Sequence, residues 1–348
     1  GTGGAQFANA TTAVGYKAGE ANTTGVFNTC VGAYALPANT NGQKNVAVGR
    51  NALRYNTSGS TNTAVGEQSL ASNTTASNNV GIGHYALQQN TTGTSLVAVG
   101  TFSLDANTTG TGNVAVGQSA LNTTGGSNTA IGGGALLSNT TAGNNTALGK
   151  NALTLNTTGD QNTAVGSACL DANTTGDKNT ASGVAALGAN TTGDNNTVSG
   201  YTAMFSNTTG DNNTATGYGA LSANNTDNNT AFGYAAMQAN TSGTQQVAVG
   251  ALALDANTTG NYNQAFGYGA LTSNTTANYN SAFGYFALQD NTEGAFNTGL
   301  GRSSLNSNTT GGANVAVGDL ALGANTTGNN NVGIGNGALD ANTTASKN

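Results

Sequence analysis

The stretch Asn45-Val46-Ala47-Val48-Gly49-Arg50-Asn51-Ala52-Leu53-Arg54-Tyr55-Asn56-Thr57-Ser58-Gly59-Ser60-Thr61 runs straight into Asn62-Thr63-Ala64-Val65-Gly66, the same opening again. The repeat is 17 residues, and a glycine closing a short apolar run returns along the chain from Gly15 to Gly335. Only two intervals are shorter, 15 residues from Gly117 to Gly132 and 16 from Gly217 to Gly233. The consensus is N-T-A-V-G-Y-x-A-L-x-x-N-T-T-G-x-x, and slots are numbered below from the glycine that ends N-T-A-V-G. Slot −4 is Asn except at Thr11, Leu96 and Gln246; slot +3 is always Ala, Ser or Cys. Slot +4 is Leu except at Gly19, Met204 and Met237; slot +7 is Asn, or Asn122 two places early in the shortest unit. Such strictness means that every unit occupies the same environment.

Seventeen residues with two glycines cannot hold a helical hairpin. N-T-A-V-G alternates β-branched and small residues, which predicts a short strand. The apolar pair Ala52-Leu53 fits a second short strand, with N-T-T-G as a turn whose Asn and Gly tolerate left-handed φ. One unit cannot bury its apolar face alone, but stacking places Leu on Leu and Ala on Ala. The expected fold is therefore all-β: a parallel β-solenoid of about twenty 17-residue coils. It forms one continuous repeat domain over 1–348, about 95 Å long at about 4.8 Å per coil. The Asn columns read as amide ladders running up the stack. Slots −3 and −1 share a strand face, and their apolar content either fits within the coil or leaves a stripe for a partner chain.

Composition agrees and excludes several classes. The 348 residues include 53 Gly, 1 Pro and 2 Cys, and only 6% are charged, with a net charge of −6. Eight scattered cations make no basic stripe, which excludes nucleic-acid binding. There is no apolar run of the length a membrane helix needs, so no membrane insertion is expected. The opening Gly1-Thr2-Gly3-Gly4 carries no signal peptide and reads as a mature or internal piece of a longer fibre chain.

The strands Asn45-Val46-Ala47-Val48-Gly49, Asn113-Val114-Ala115-Val116-Gly117 and Asn314-Val315-Ala316-Val317-Gly318 resemble the head repeats of trimeric autotransporter adhesins. The whole unit looks still more like the repeat shafts of bacterial and phage tail-fibre-like proteins, over nearly the full chain. The resemblance implies an extracellular fibre on a cell or virion surface, with three chains in the adhesin case. The 17-residue coil is longer than the adhesin head repeat, and the sequence shows no coiled-coil stalk, membrane anchor or C-terminal chaperone domain.

The candidate chemistry is sparse, and no enzyme is expected. His84, the only histidine, occupies slot +1 with Arg50, Glu67, Thr101 and Lys150, where a general base has no partner. Cys30 and Cys169 replace Ala in small-residue slots eight coils apart, too far to pair. Asp160, Asp177, Asp194 and Asp211 form a column at slot +11, which Asp227 continues in the shortened coil, read either as a Ca²⁺ or other cation ladder or as a solvated turn. No other cofactor is expected. Tyr201, Tyr218, Tyr234, Tyr268 and Tyr285 share slot +1, a candidate contact for glycans or a neighbouring fibre, or simply a stabilising ladder. N-T-T is also an N-glycosylation sequon, with candidates at Asn22, Asn56, Asn73, Asn90, Asn107, Asn173, Asn190 and Asn207. The expected function is a self-associating structural shaft, as a trimer or an end-to-end filament. The alternatives are an adhesin or receptor-binding fibre that holds cell-surface glycans through its Tyr or Asn-Thr edges, and an ice-binding solenoid.

Overall fold

The computed structural model describes residues 10–122 and 124–348; the opening Gly1-Thr2-Gly3-Gly4 lies outside them. All regular structure among these residues is β: twenty three-residue strands, β1 (Thr12–Val14) to β20 (Val332–Ile334), one per coil. The backbone falls into two compact units divided between Thr175 and Gly176, although the sequence repeat runs through that point unbroken. The first unit holds β1–β10 and the second β11 (Thr180–Ser182) to β20, and each is a parallel β-solenoid.

Within each unit every strand pairs in parallel with the next, in strict slot register. Thr63, Ala64 and Val65 of β4 lie against Val80, Gly81 and Ile82 of β5, and Gln264, Ala265 and Phe266 of β16 against Ser281, Ala282 and Phe283 of β17. The middle residue of the strand is buried and the flanking two are half-buried or exposed. The apolar contents of slots −3 and −1 therefore lie on the outside of the coil. The interior consists of Ala at −2 and +3, Leu at +4 and the two Asn columns.

The expected second strand is absent. Ala52-Leu53 lies in a turn, and Leu53 adopts φ 49°, as slot +4 does throughout, from Leu36 at 50° to Leu339 at 54°. A left-handed non-glycine residue costs about 1–2 kcal/mol, a cost offset by burying the whole leucine, worth about 1.5–3 kcal/mol. Slots +2 and +12 are left-handed as well, as at Asn51 (61°) and Thr61 (60°). The expectation that Asn and Gly of N-T-T-G would supply the left-handed residues is thus corrected: neither Asn56 nor Gly59 has positive φ. The turn is instead closed by hydrogen bonds.

The glycine that defines the repeat has two reasons to be invariant. Gly66 has φ 131°, and a Cβ there would sit 2.5 Å from the carbonyl oxygen of Gly83 in the next coil. The glycine of N-T-T-G meets a similar wall, since a Cβ on Gly59 would lie 2.2 Å from the Ala76 carbonyl oxygen. That slot nevertheless holds Ala at 76, 142 and 277, its φ being ordinary.

Candidate functional site

Two asparagines per coil share one interior acceptor. In the coil of Gly32, the Nδ2 groups of Asn28 and Asn39 both donate to the Gly42 carbonyl oxygen, at 2.9 and 3.0 Å. Each amide also reaches along the stack. Asn39 Nδ2 donates to Asn22 Oδ1 at 2.8 Å, Asn56 to Asn39 at 3.0 Å and Asn73 to Asn56 at 2.9 Å. In the other column Asn28 Oδ1 accepts the backbone N–H of Asn45 at 2.9 Å. In the second unit the +7 column runs from Asn240 to Asn342 with each amide donating to the one before it. Buried amides of this kind must be bonded, and this arrangement uses nearly every donor and acceptor.

The two shortened coils break the ladder. Asn122, expected to stand in for the +7 asparagine, does not join the column; its Oδ1 accepts the backbone N–H of Ala106 at 3.0 Å. Asn107 Oδ1 is left buried without a partner. At the second deletion Asn207 Oδ1 turns back to the N–H of Gly210, and Asn225 Oδ1 takes the N–H groups of Thr208 and Thr209 in place of a carbonyl.

This column also settles what the sequons offer. Asn56, Asn73, Asn90, Asn107, Asn173, Asn190 and Asn207 are all fully buried. Only Asn22, in the first described coil, is half-buried. Transfer of a glycan needs a free side-chain amide, and the folded chain commits these seven inside. The first Thr of each N-T-T is also engaged, with Thr57 Oγ1 donating to the Thr74 carbonyl oxygen at 3.2 Å and Thr258 to that of Thr275 at 3.1 Å. The second Thr, as at Thr75 and Thr276, is exposed, and the first is half-buried or exposed.

The aspartate column caps backbone. Asp160 Oδ1 accepts the N–H of Gly143 at 2.6 Å in the first unit. In the second unit Asp194, Asp211 and Asp227 accept the N–H groups of Asp177, Asp194 and Asp211 at 2.7–2.8 Å. Asn261 and Asn278 do the same for Thr244 and Asn261, and Ser60 and Ser77 for Gln43 and Ser60. Slot +11 thus selects for a short side-chain acceptor, of which Asp is one kind. Among the described residues no group of three His, Cys, Asp or Glu is placed to hold a metal ion.

Slot +1 is an outer column whose neighbours match. Arg50 pairs with Glu67, and Arg302 holds Asp319 through two bonds of 2.9 and 2.7 Å. Tyr201, Tyr218 and Tyr234 are exposed and stacked, with ring centroids 5.4 and 5.5 Å apart and planes within 17°. Tyr268 and Tyr285 stack likewise at 5.5 Å. Rings stacked this way cover one another's faces and show edges and hydroxyls to solvent. His84 packs edge-on to Tyr85 and Phe102, with no carboxylate partner. Burial pushes the Cys30 thiol up to about 11 and the Cys169 thiol to about 12, so neither is a thiolate near neutrality.

The sequence reading missed two further aromatic columns of the second unit. Tyr262, Tyr279 and Phe296 stack at 4.8 and 5.0 Å in slot +12, and Phe266 and Phe283 at 4.8 Å in slot −1. Their signal was available as recurrence at 17 residues, but slot +12 is otherwise filled mostly by Asn, Gln, Lys and Ser, with single Phe27, Thr61, Gly112 and Ala313, and does not look like a column. No family model matches the chain, and a search of curated proteins finds no similar sequence.

Proposed function

We propose that this chain is a structural segment of an extracellular fibre on a cell or virion surface, self-associating through its outer faces. The observation that carries this reading is the commitment of each coil's polar interior to its neighbours. Both amides, the first Thr hydroxyl and the +11 acceptor hold adjacent coils together, and the same arrangement recurs with little change in either unit. The resemblance to adhesin heads and tail-fibre shafts supplies the extracellular setting. A fibre composed of such coils should diffract with a meridional repeat near 4.8 Å, the spacing between strands. The test is electron microscopy and fibre diffraction of native material, with antibody labelling of intact cells or virions. Dispersed particles without filaments, or labelling only after lysis, would refute it.

The second reading, an adhesin, is supported by the concentration of aromatic residues in the second unit. Screening the intact chain against surface polysaccharides tests it. Ice binding has less support: the first Thr of each pair is used within the stack, leaving a hydroxyl column one residue wide.

A further inference from the structure

Aromatic side chains recur in three outer columns of the second unit, on and flanking the strands β16 (Gln264–Phe266), β17 (Ser281–Phe283) and β18 (Thr298–Leu300). Tyr262, Phe266 and Tyr268 line one coil, Tyr279, Phe283 and Tyr285 the next, and Phe296 begins the third. We propose that this face docks a second copy of the same chain, aromatic face against aromatic face. The proposal rests on the self-associating reading above and names its interface.

Four observations support that occupant. The first is area. Tyr262, Tyr279, Phe296, Tyr268 and Tyr285 are 42%, 49%, 62%, 44% and 51% exposed. At about 150–250 Å² per aromatic side chain they leave roughly 500 Å² open, to which the half-buried Phe266 and Phe283 and the exposed Leu300 add. That reaches the upper range of apolar patches on monomers and most of the roughly 800 Å² per partner of a standard interface. The second is charge. The chain carries −6 overall, yet no charged residue occurs between Asp255 and Asp290; the coils of β16 and β17 bring little charge against a second copy, and Asp290, Glu293 and Arg302 stand at the margin of the third coil.

The third is geometry. The rings are stacked within their columns at 4.8–5.5 Å with planes within 15°, so their faces are covered and their edges form ridges at the coil repeat. A sugar ring finds no open face on which to lie, except at the end of a column. A second copy brings ridges of the same spacing, which interdigitate. The fourth is that the stack does not require these aromatics: slot −1 holds Ser182 and Ser199 elsewhere, and slot +1 holds Thr101 and Ser167.

That last fact supplies variants expected to fold. Phe266→Ser, Phe283→Ser, Tyr268→Thr and Tyr285→Ser are combined in the full chain. Tyr201→Thr, Tyr218→Ser and Tyr234→Ser, on coils outside the patch, form the control. Sedimentation equilibrium over a concentration series reads the association constant, and circular dichroism confirms the fold. The expected result is association of the wild type and the control, with a dissociation constant raised about tenfold or more in the patch variant. Separately, Ser281→Cys should form a chain-to-chain disulfide under mild oxidation, Cys30 and Cys169 being buried. The proposal is overturned if the folded patch variant associates like the wild type, or if the wild type stays a single chain at its highest soluble concentration. A single-chain wild type that binds a soluble polysaccharide, and loses it in the patch variant, would make the occupant a glycan instead. Fibres that persist in the patch variant would sink this interface while leaving the fibre reading intact.

Discussion

The broken amide ladder permits a quantitative test at two chemically identical residues. Asn73 and Asn107 occupy the same slot, are equally buried and donate to equivalent partners. Asn73→Ala strands Asn56 Oδ1 and one N–H of Asn90, while the Ala76 carbonyl keeps its second donor, Asn62. Asn107→Ala strands Asn90 Oδ1 and the Gly110 carbonyl, the latter because Leu96 offers no second amide. Asn79 Nδ2 also reaches Asn73 Oδ1, at 3.5 Å, so Asn73→Ala orphans one weaker contact more than Asn107→Ala does. Asn107→Ala also removes an acceptor that already has no partner in the native fold. At about 1–3 kcal/mol per stranded buried group, Asn73→Ala should cost about 2–6 kcal/mol and Asn107→Ala about 1–3 kcal/mol less. Urea unfolding of each full-length variant, with hydrogen exchange to locate the loss, measures the difference. If Asn107→Ala costs as much as Asn73→Ala, or more, the ladder is not the source of the stability assigned to it.

Three further outcomes follow from the same geometry. Gly66→Ala should destabilise the chain by more than about 3 kcal/mol given its φ of 131° and a Cβ at 2.5 Å from backbone, while Gly59→Ala, whose φ is ordinary in a slot that holds Ala elsewhere, should cost less, as thermal unfolding of the two variants would measure. Burial holds the Asp105 carboxyl above the ordinary carboxylate range, partly countered by the Ala106 N–H. Its folded value is raised, so its destabilising effect is absent at low pH and grows as pH rises from the ordinary carboxylate value through the raised one. Asp105→Asn should thus stabilise the chain at neutral pH, and the gain should vanish in acid; a gain independent of pH would contradict this. Cys30 and Cys169 should resist thiol reagents in the native state and react fully in denaturant; rapid native labelling would show that these coils open locally.

Much of the fold was legible because a repeat turns each slot into a repeated measurement. Twenty strands stand where N-x-A-x-G stands, in the register its spacing requires. What could not be read was the path between strands. Leu at a left-handed φ contradicts its local propensity, and only the stack, by burying every such leucine, makes it favourable. The sequon at Asn73 was equally opaque, since Asn-Thr-Thr gives the same letters whether its amide faces water or another amide. The Asp column was open to two readings for a related reason: carboxylates in a row suggest a cation, while Asn261 and Ser77 in the same slot accept a backbone N–H just as the aspartates do.

These cases separate two kinds of column. Interior columns and the +11 caps are constrained by the coil above and below, so they mostly vary within a chemical function, Asn by Gln246, Leu by Met204, Asp by Ser, with Leu96 in an Asn column and Ala295 in a cap slot among the exceptions. Slots +1, +12 and −1 face outward and need only suit their vertical neighbours, as Arg50 suits Glu67 and Tyr218 suits Tyr234. Stacking alone is satisfied by many such pairs, charged, polar or aromatic. Nothing in the stack requires three outer columns to turn aromatic on the same adjacent coils, as they do between Tyr262 and Phe296. The docking of a second copy proposed above would supply that requirement, and the lack of charge from Ala256 to Gln289 suits apolar contact over the coils of β16 and β17.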